Sequence, residues 1–397
     1  MKEISINLSG SKSISNRLLV LNSLFHNSLQ LQNLSKCQDT YMMERALSSK
    51  EQIIDIYHAG TAMRFLTAYF SIQENRNIIL TGSHRMKERP IKILVDALNQ
   101  LGAHISYVEN EGFPPLEIKG KKINHNVIHL PANISSQYIT ALCLIAAKLD
   151  KGLTINLEGK ITSKPYINMT LQILNKIGII TSFYQNKISI EPINEVKKQD
   201  FIIESDWSSA SYHYSICALS KDLKIRIKYL FKDSLQADRK IADIYQKYFG
   251  INTLFHENVI TINKIENFQY PNFIELDMND CPDIAQTVAI TAFGLRIPIK
   301  MTGLETLKIK ETDRLIALKN EIEKCGGNVE ITDCSFELKR INSFRENQII
   351  ETYNDHRMAM SFAPLQLLFP LTIKNPNVVE KSYVEFWNDL KMYGIKH

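Results

Sequence analysis

The stretch Thr306–Gly327, TLKIKETDRLIALKNEIEKCGG, places Lys308, Lys310, Glu311, Asp313 and Arg314 within seven residues. Cations interleaved with carboxylates can grip an oxyanion and also move a proton. Similar mixtures recur along the chain. MNDCPDIAQTVAI carries Asp280 and Asp283, YNDHRMAMSFA carries Asp355, His356 and Arg357, and VVEKSYVEFW carries Lys381. Upstream, GSKSISNRLL offers Lys12, Ser13 and Arg17, HAGTAMRFL offers Gly60 and Thr61, and SHRMKERPIK offers Arg85, Lys87 and Arg89. ISSQYI adds Ser135, Ser136 and Gln137, and TSKPYI adds Ser163, Lys164 and Tyr166. The GxxxxGK spacing of a nucleotide-binding loop is absent, so nothing points to a nucleoside triphosphatase.

Each cluster precedes a run with helical periodicity, so each sits at a helix start, where unpaired amides and the dipole favour anions. Taken singly, each also fits a capped, solvated first turn. In the opening stretch Leu315, Leu318 and Ile322 predict a helix beginning near Thr312, its cap, and ending at Gly326-Gly327. Lys310 and Arg314, four apart, are expected to share a helix face or its entrance, with Lys308 and Asp313 left to solvent. Asp283 and Glu311, carboxylates among cations, suit general base and acid.

An internal repeat organises these starts. Four segments read as a helix closing on an apolar residue and glycine, then a strand, a polar turn and a second strand. The glycines are Gly102, Gly178, Gly250 and Gly326, spaced 76, 72 and 76 residues apart. Near-constant spacing of this kind marks duplication. Gly394 resembles a fifth helix end, and a further copy due near residue 27 is not visible, so one unit is expected to be abridged. Units that bury helices inward and sheets outward would gather their helix N-termini around one cleft suited to multiply charged anions.

At 397 residues the chain suggests two or three domains, and 44% hydrophobic with 22% charged residues is an ordinary globular balance. There is no signal-peptide pattern and no uninterrupted membrane-length apolar run, so a cytoplasmic protein without membrane contact is expected. Six scattered cysteines form no CxxC pair, and no HExxH occurs, so neither a disulfide framework nor a metal is expected. A net charge of +5, spread along the chain, argues against nucleic acid as a partner.

Taken together, GSKSISNR, AGTAMRF, RMKERP, SSQ, SKPYI, DWSSASY, MNDCPD, KETDRL, DHRMAM and KSY resemble, in order and over nearly the whole chain, the EPSP synthase family of enolpyruvyl transferases. The resemblance implies an α+β fold: a two-lobed inside-out prism of repeated βαβαββ units, with one N-terminal-lobe unit abridged here. Residues 10–206 would form the N-terminal lobe, with mainly shikimate 3-phosphate contacts. Residues 1–9 and 207–397 would form the C-terminal lobe, with the catalytic carboxylates and phosphoenolpyruvate contacts. The implied reaction moves the enolpyruvyl group of phosphoenolpyruvate to the 5-hydroxyl of shikimate 3-phosphate, on the way to chorismate and aromatic amino acids. It needs no cofactor, and a monomer is expected.

Residue by residue, the resemblance implies shikimate 3-phosphate contacts from Lys12, Ser13, Arg17, Ser135, Ser136, Gln137, Ser163, Tyr166, Asp283, Thr306 and Lys310. For phosphoenolpyruvate it implies Lys12, Gly60, Arg89, Gln137, Arg314, Arg357 and Lys381. Catalytic roles fall to Asp283, Glu311, Lys12 and His356. Departures from the family pattern are Ser9, His58, Phe65, Thr306 and the short interval from Asp39 to His58. A related transferase acting on UDP-N-acetylglucosamine carries a reactive cysteine where this chain has His84, and a non-catalytic anion-binding module would be expected to lack Asp283 or Glu311.

Overall fold

The computed structural model describes residues 2–159, 161, 164–339 and 343–396. The chain divides into two compact units, Met1–Gly10 with Glu204–His397, and Ser11–Ile203.

The unit Ser11–Ile203 holds two four-stranded sheets of one topology. In the first, the parallel pair Ile53–Asp55 and Asn77–Thr81 is extended by Leu116–Lys119 and then Ile105–Tyr107, both antiparallel to their neighbours. In the second, Val127–Pro131 and Leu153–Glu158 are extended in the same way by Lys187–Ile190 and Thr181–Tyr184. Among the described residues its third sheet is the parallel pair Leu29–Gln32 and Gln199–Ile202. The helix Gln38–Ser48 is followed directly by the strand from Ile53, so this repeat lacks its hairpin.

The other unit repeats the scheme. Lys2–Ile6 and Leu223–Lys228 pair in parallel and are extended by Val259–Lys264 and Ile251–His256, while Ile274–Asp277 and Ile299–Thr302 are extended by Phe336–Leu338 and Val329–Ile331. Its third sheet is again a parallel pair, Gln348–Ile350 with Leu371–Ile373. A two-stranded sheet therefore occurs in each unit, where the sequence suggested one abridged repeat in the N-terminal half.

Glycine punctuates the repeats as the spacing predicts. Gly102, Gly178, Gly250, Gly326 and Gly394 all have positive φ, between 66° and 107°, which glycine adopts without steric cost.

Each repeat contributes two kinds of helix. Gly60–Ser71, Ser136–Ala146, Trp207–Leu219, Ala285–Gly294 and His356–Phe362 are buried on nearly every side, and Lys12–Leu24 on most. These inner helices pack on one another within their own unit. Ser136–Ala146 and Ala285–Gly294 are mostly apolar on every side, as full burial favours, whereas Lys12–Leu24 and Trp207–Leu219 also bury Ser, Asn, Arg and His side chains. The second helices, such as Lys92–Leu101 and Arg314–Lys324, expose one face to solvent. In the unit containing Glu204–His397, hydroxyls at repeat-equivalent positions join the inner helices: Ser211 lies 3.1 Å from Thr287, Thr287 3.5 Å from Ser361, and Thr291 2.8 Å from Ser215. Small hydroxyl side chains allow close helix approach while pairing one another's polar atoms. Among the described residues, no helix is long and apolar enough to cross a membrane.

Candidate active site

Lys12, Gly60 and Ser136 are the first residues of the three inner helices of the unit Ser11–Ile203. Gln137 Nε2 donates to Thr61 Oγ1 at 3.3 Å, joining two of these helix starts, and Ser135 caps its own helix by accepting from the Gln137 amide. Lys12 Nζ lies 3.3 Å from the buried Asp39 carboxylate. At Gly60 an added Cβ would fall 2.3 Å from Arg89 Nη1, so the missing side chain is what admits the guanidinium to that helix start. Arg89 Nε is buried without a hydrogen-bond partner among the described residues, a donor suited to an incoming anion.

Arg17 is spent on internal contacts. It donates to the Ser13 carbonyl at 2.7 Å, the Thr170 hydroxyl at 2.8 Å and the Tyr166 carbonyl at 3.3 Å. Burial pushes its guanidinium down to about 10, partly opposed by Tyr166. Arg17 thus ties the Lys12–Leu24 helix to the helix carrying Tyr166. Arg64, which lies in the AGTAMRF stretch but was given no role there, donates to the Pro90 carbonyl at 2.9 Å and holds the segment bearing Arg89. Ser163 lies outside the described residues.

In the other unit the site residues form one ion-paired chain. Asp283 Oδ1 lies 3.4 Å from Lys310 Nζ and 3.3 Å from Arg314 Nη1, and its Oδ2 lies 3.3 Å from Arg357 Nη2. Arg314 Nη2 reaches Glu311 Oε2 at 2.9 Å, and Glu311 Oε1 meets Lys381 Nζ at 2.6 Å. Behind them Asp355 takes Arg314 through two bonds, Nε–Oδ2 at 2.7 Å and Nη2–Oδ1 at 3.3 Å. Asp355 also caps its helix by accepting from the Arg357 amide. Arg357 Nη1 donates to the Asp283 carbonyl at 2.8 Å, so the starts of two inner helices are bridged. The Thr306 hydroxyl oxygen is buried without a partner among the described residues.

The charges set one another. Burial pulls Arg314 down, but Asp355 and Glu311 outweigh it, and the guanidinium is held more firmly charged than usual. Burial lowers the Lys310 ammonium against the opposing pull of Asp283. Asp238, buried and close to Asp283, is pushed up to about 6, first by desolvation and then by the Asp283 charge, with Arg357 opposing.

Several expectations change. The helix begins at Arg314 with Asp313 as its cap, accepting from the Leu315 and Ile316 amides, so Thr312 does not cap it and Asp313 is structural. Asp313 wins because its carboxylate reaches two amides and gains from the dipole. Lys310 is not helical, with ψ at −148°, so Lys310 and Arg314 meet at Asp283 from separate backbone geometries and not along one helix face. His356 is only 1% exposed, with Nδ1 3.7 Å from Asp355, which places it behind the site and not among groups open to a ligand. Lys308, Arg85, Lys87 and Asp280 make exposed ion pairs with Asp333, Glu88, Glu109 and Lys240.

Asp238 and its hydrogen-bond donor Ser208 were not expected at the site. The repeat carried a signal: Asp238 stands twelve residues before Gly250, as Arg314 stands twelve before Gly326 and Tyr166 twelve before Gly178.

This architecture is that of the enolpyruvyl transferases. It matches an EPSP synthase of Acinetobacter baumannii with a TM-score of 0.76 at 18% identity, covering 99% of this chain and 96% of that one. It also matches the enolpyruvyl transferase NikO of Streptomyces tendae, with a TM-score of 0.74 at 14% identity, over 99% and 95% of the two chains. At the sequence level, the family model for EPSP synthase (3-phosphoshikimate 1-carboxyvinyltransferase) matches residues 44–390. A 3-phosphoshikimate 1-carboxyvinyltransferase of Bacteroides fragilis (strain YCH46) is 44% identical over 99% of this chain and 96% of its own length. One from Haemophilus influenzae (strain ATCC 51907 / DSM 11121 / KW20 / Rd) is 35% identical over 100% and 97%. The chain belongs to the EPSP synthase family.

Proposed function

We propose that this chain transfers the enolpyruvyl group of phosphoenolpyruvate to the 5-hydroxyl of shikimate 3-phosphate, yielding 5-enolpyruvylshikimate 3-phosphate and phosphate. The observation that carries the reading is the chain Lys310–Asp283–Arg314–Glu311–Lys381, in which two carboxylates are each held between cations. Anionic substrates compete for those cations, and a carboxylate released from them takes up a proton more readily.

Glu311 then protonates the methylene carbon of phosphoenolpyruvate, leaving the adjacent carbon electron-poor. Asp283 accepts the 5-hydroxyl proton as the oxygen bonds to that carbon, giving a tetrahedral adduct. The adduct breaks down when the carbon–oxygen bond to phosphate cleaves: the departing phosphate keeps the bonding pair and takes the proton held by Asp283, while the methyl carbon returns a proton to Glu311, restoring the double bond. Lys310, Arg314, Arg357 and Lys381 stabilise phosphate and carboxylate charge throughout.

For shikimate 3-phosphate we assign Lys12, Ser13, Ser135, Ser136, Gln137, Ser163, Tyr166, Asp283, Thr306 and Lys310, with Arg17 positioning Ser13 and Tyr166. For phosphoenolpyruvate we assign Lys12, Gly60, Arg89, Gln137, Arg314, Arg357 and Lys381. Asp355 and His356 act through Arg314 as supports. The working form is a cytoplasmic monomer. The test is phosphate release from phosphoenolpyruvate by purified protein: release should require shikimate 3-phosphate. Binding of both ligands with no release under any pairing would instead support an anion-binding module.

A further inference from the structure

The segment carrying Lys381 is anchored by a buried polar chain outside the ion-paired cluster. Lys381 ends the turn Pro376–Lys381, and the amides of Ser382 and Tyr383 both donate to the Val379 carbonyl, at 3.0 and 2.8 Å. Tyr383 therefore belongs to the same turn as Lys381. Its side chain is buried, and its hydroxyl meets two groups: it donates to Asp389 Oδ2 at 2.5 Å and lies 2.8 Å from His213 Nε2. The second imidazole nitrogen, Nδ1, lies 2.9 Å from the Tyr393 hydroxyl. His213 sits on the inner helix Trp207–Leu219, which begins beside Asp206 and Ser208, and is fully buried.

Counting protons assigns every direction in this chain. Tyr383 has one hydroxyl proton and gives it to Asp389, so its oxygen must accept from His213 Nε2–H. Burial holds the imidazole neutral, pushing it down to about 3, so Nδ1 carries no proton and accepts from Tyr393. The sequence Tyr393 to His213 to Tyr383 to Asp389 is thus satisfied in one tautomer and one register. A slide of the 376–383 turn along the helix would unpair buried donors, whereas purely apolar packing tolerates small shifts.

We propose that His213 is a positioning residue for Lys381: through Tyr383 it fixes the turn that aims the Lys381 ammonium at Glu311 and at the anionic group of phosphoenolpyruvate. The inference rests on the assignment of Lys381 to phosphoenolpyruvate under the proposed function. It gives His213, twenty-five residues before Asp238 and far in sequence from Lys381, a place in substrate affinity that no charge or motif announces.

His213→Phe keeps ring volume and removes both nitrogens, and Tyr383→Phe removes only the hydroxyl. Each is expected to raise KM for phosphoenolpyruvate about tenfold while KM for shikimate 3-phosphate stays within about twofold. The double variant should be no worse than the more affected single one, since both break one link. His213→Gln, which can donate and accept, should recover much of the affinity, an outcome a simple packing role would not give. If His213→Phe fails to fold, the isosteric Tyr383→Phe decides. Unchanged KM for phosphoenolpyruvate in the folded variants, or equal losses for both substrates, would overturn the inference. Wild-type protein that releases no phosphate with both substrates present would instead overturn the functional reading, so the two failures are distinct.

Discussion

Glu311 is shared between Arg314 and Lys381: one carboxylate oxygen lies 2.9 Å from the guanidinium and the other 2.6 Å from the ammonium. A group that only completed a salt bridge would need one partner. Held between two cations that we assign to the phosphoenolpyruvate anion, this carboxylate shares both of its charge partners with that substrate.

Glu311→Gln keeps the shape and one acceptor but can no longer cycle a proton. We expect kcat to fall about a hundredfold or more, in the range of a lost general acid, with KM values shifting only a few-fold. Steady-state phosphate release with each substrate varied separately measures the split. Equal losses in kcat and in affinity would reduce Glu311 to an electrostatic spacer.

Gly60→Ala should act on one substrate. The new methyl would sit 2.3 Å from Arg89 Nη1, too close to coexist, and the flexible guanidinium is the atom group able to retreat. The expected result is a rise of about tenfold in KM for phosphoenolpyruvate, the loss of one charge-assisted hydrogen bond. KM for shikimate 3-phosphate should change little, and the melting temperature should stay near wild type.

Much of this arrangement was legible from residue type and period, for particular reasons. The terminal glycines could be placed because a left-handed cap has few alternatives to glycine. The inner-helix starts stood out because anion chemistry needs Lys, Arg, Ser and free amides together. Thr312 was misplaced as a cap because Thr and Asp compete for that role and only tertiary structure decides which one faces the amides. Lys310 and Arg314 do come together at the helix entrance, on Asp283, but not along one helix face, because helical geometry does not extend back to Lys310, a boundary that spacing cannot locate. Asp355 stood out in the sequence, but its role behind Arg314 rests on burial, and Asp238 was missed because only its place twelve residues before Gly250, and not its residue type, marked it.

Asp355→Ala tests the support behind Arg314. The guanidinium is 2% exposed and keeps Glu311 and Asp283, but it loses its two-bond partner. Removing one member of a buried ion pair typically costs about 3–5 kcal/mol because the remaining charge is left under-compensated. Chemical denaturation of the variant should therefore show a loss of that order. A loss below about 1 kcal/mol, the range of exposed pairs, would mean that water reaches Arg314 in solution.

Asp238 makes the stability of its unit depend on pH in a stated direction. Its folded value is about 6, above the ordinary 3.8, so between those values the folded protein holds a proton that the unfolded chain has released. Stability then falls as pH rises through this window, because unfolding becomes coupled to proton release. Above about pH 6 the buried carboxylate is charged in both states, and its desolvation cost is fully present. Asp238→Asn removes the titration while keeping an acceptor for the Ser208 hydroxyl. The difference in unfolding free energy, variant minus wild type, should therefore move in favour of the variant between about pH 4.5 and about pH 7. The expected size is roughly 2 kcal/mol, since each tenfold difference in proton affinity between the folded and unfolded states is worth about 1.4 kcal/mol. Urea denaturation at those two pH values measures it, and a difference that is flat or moves the other way would show that Asp238 stays ionised in the folded protein across the range.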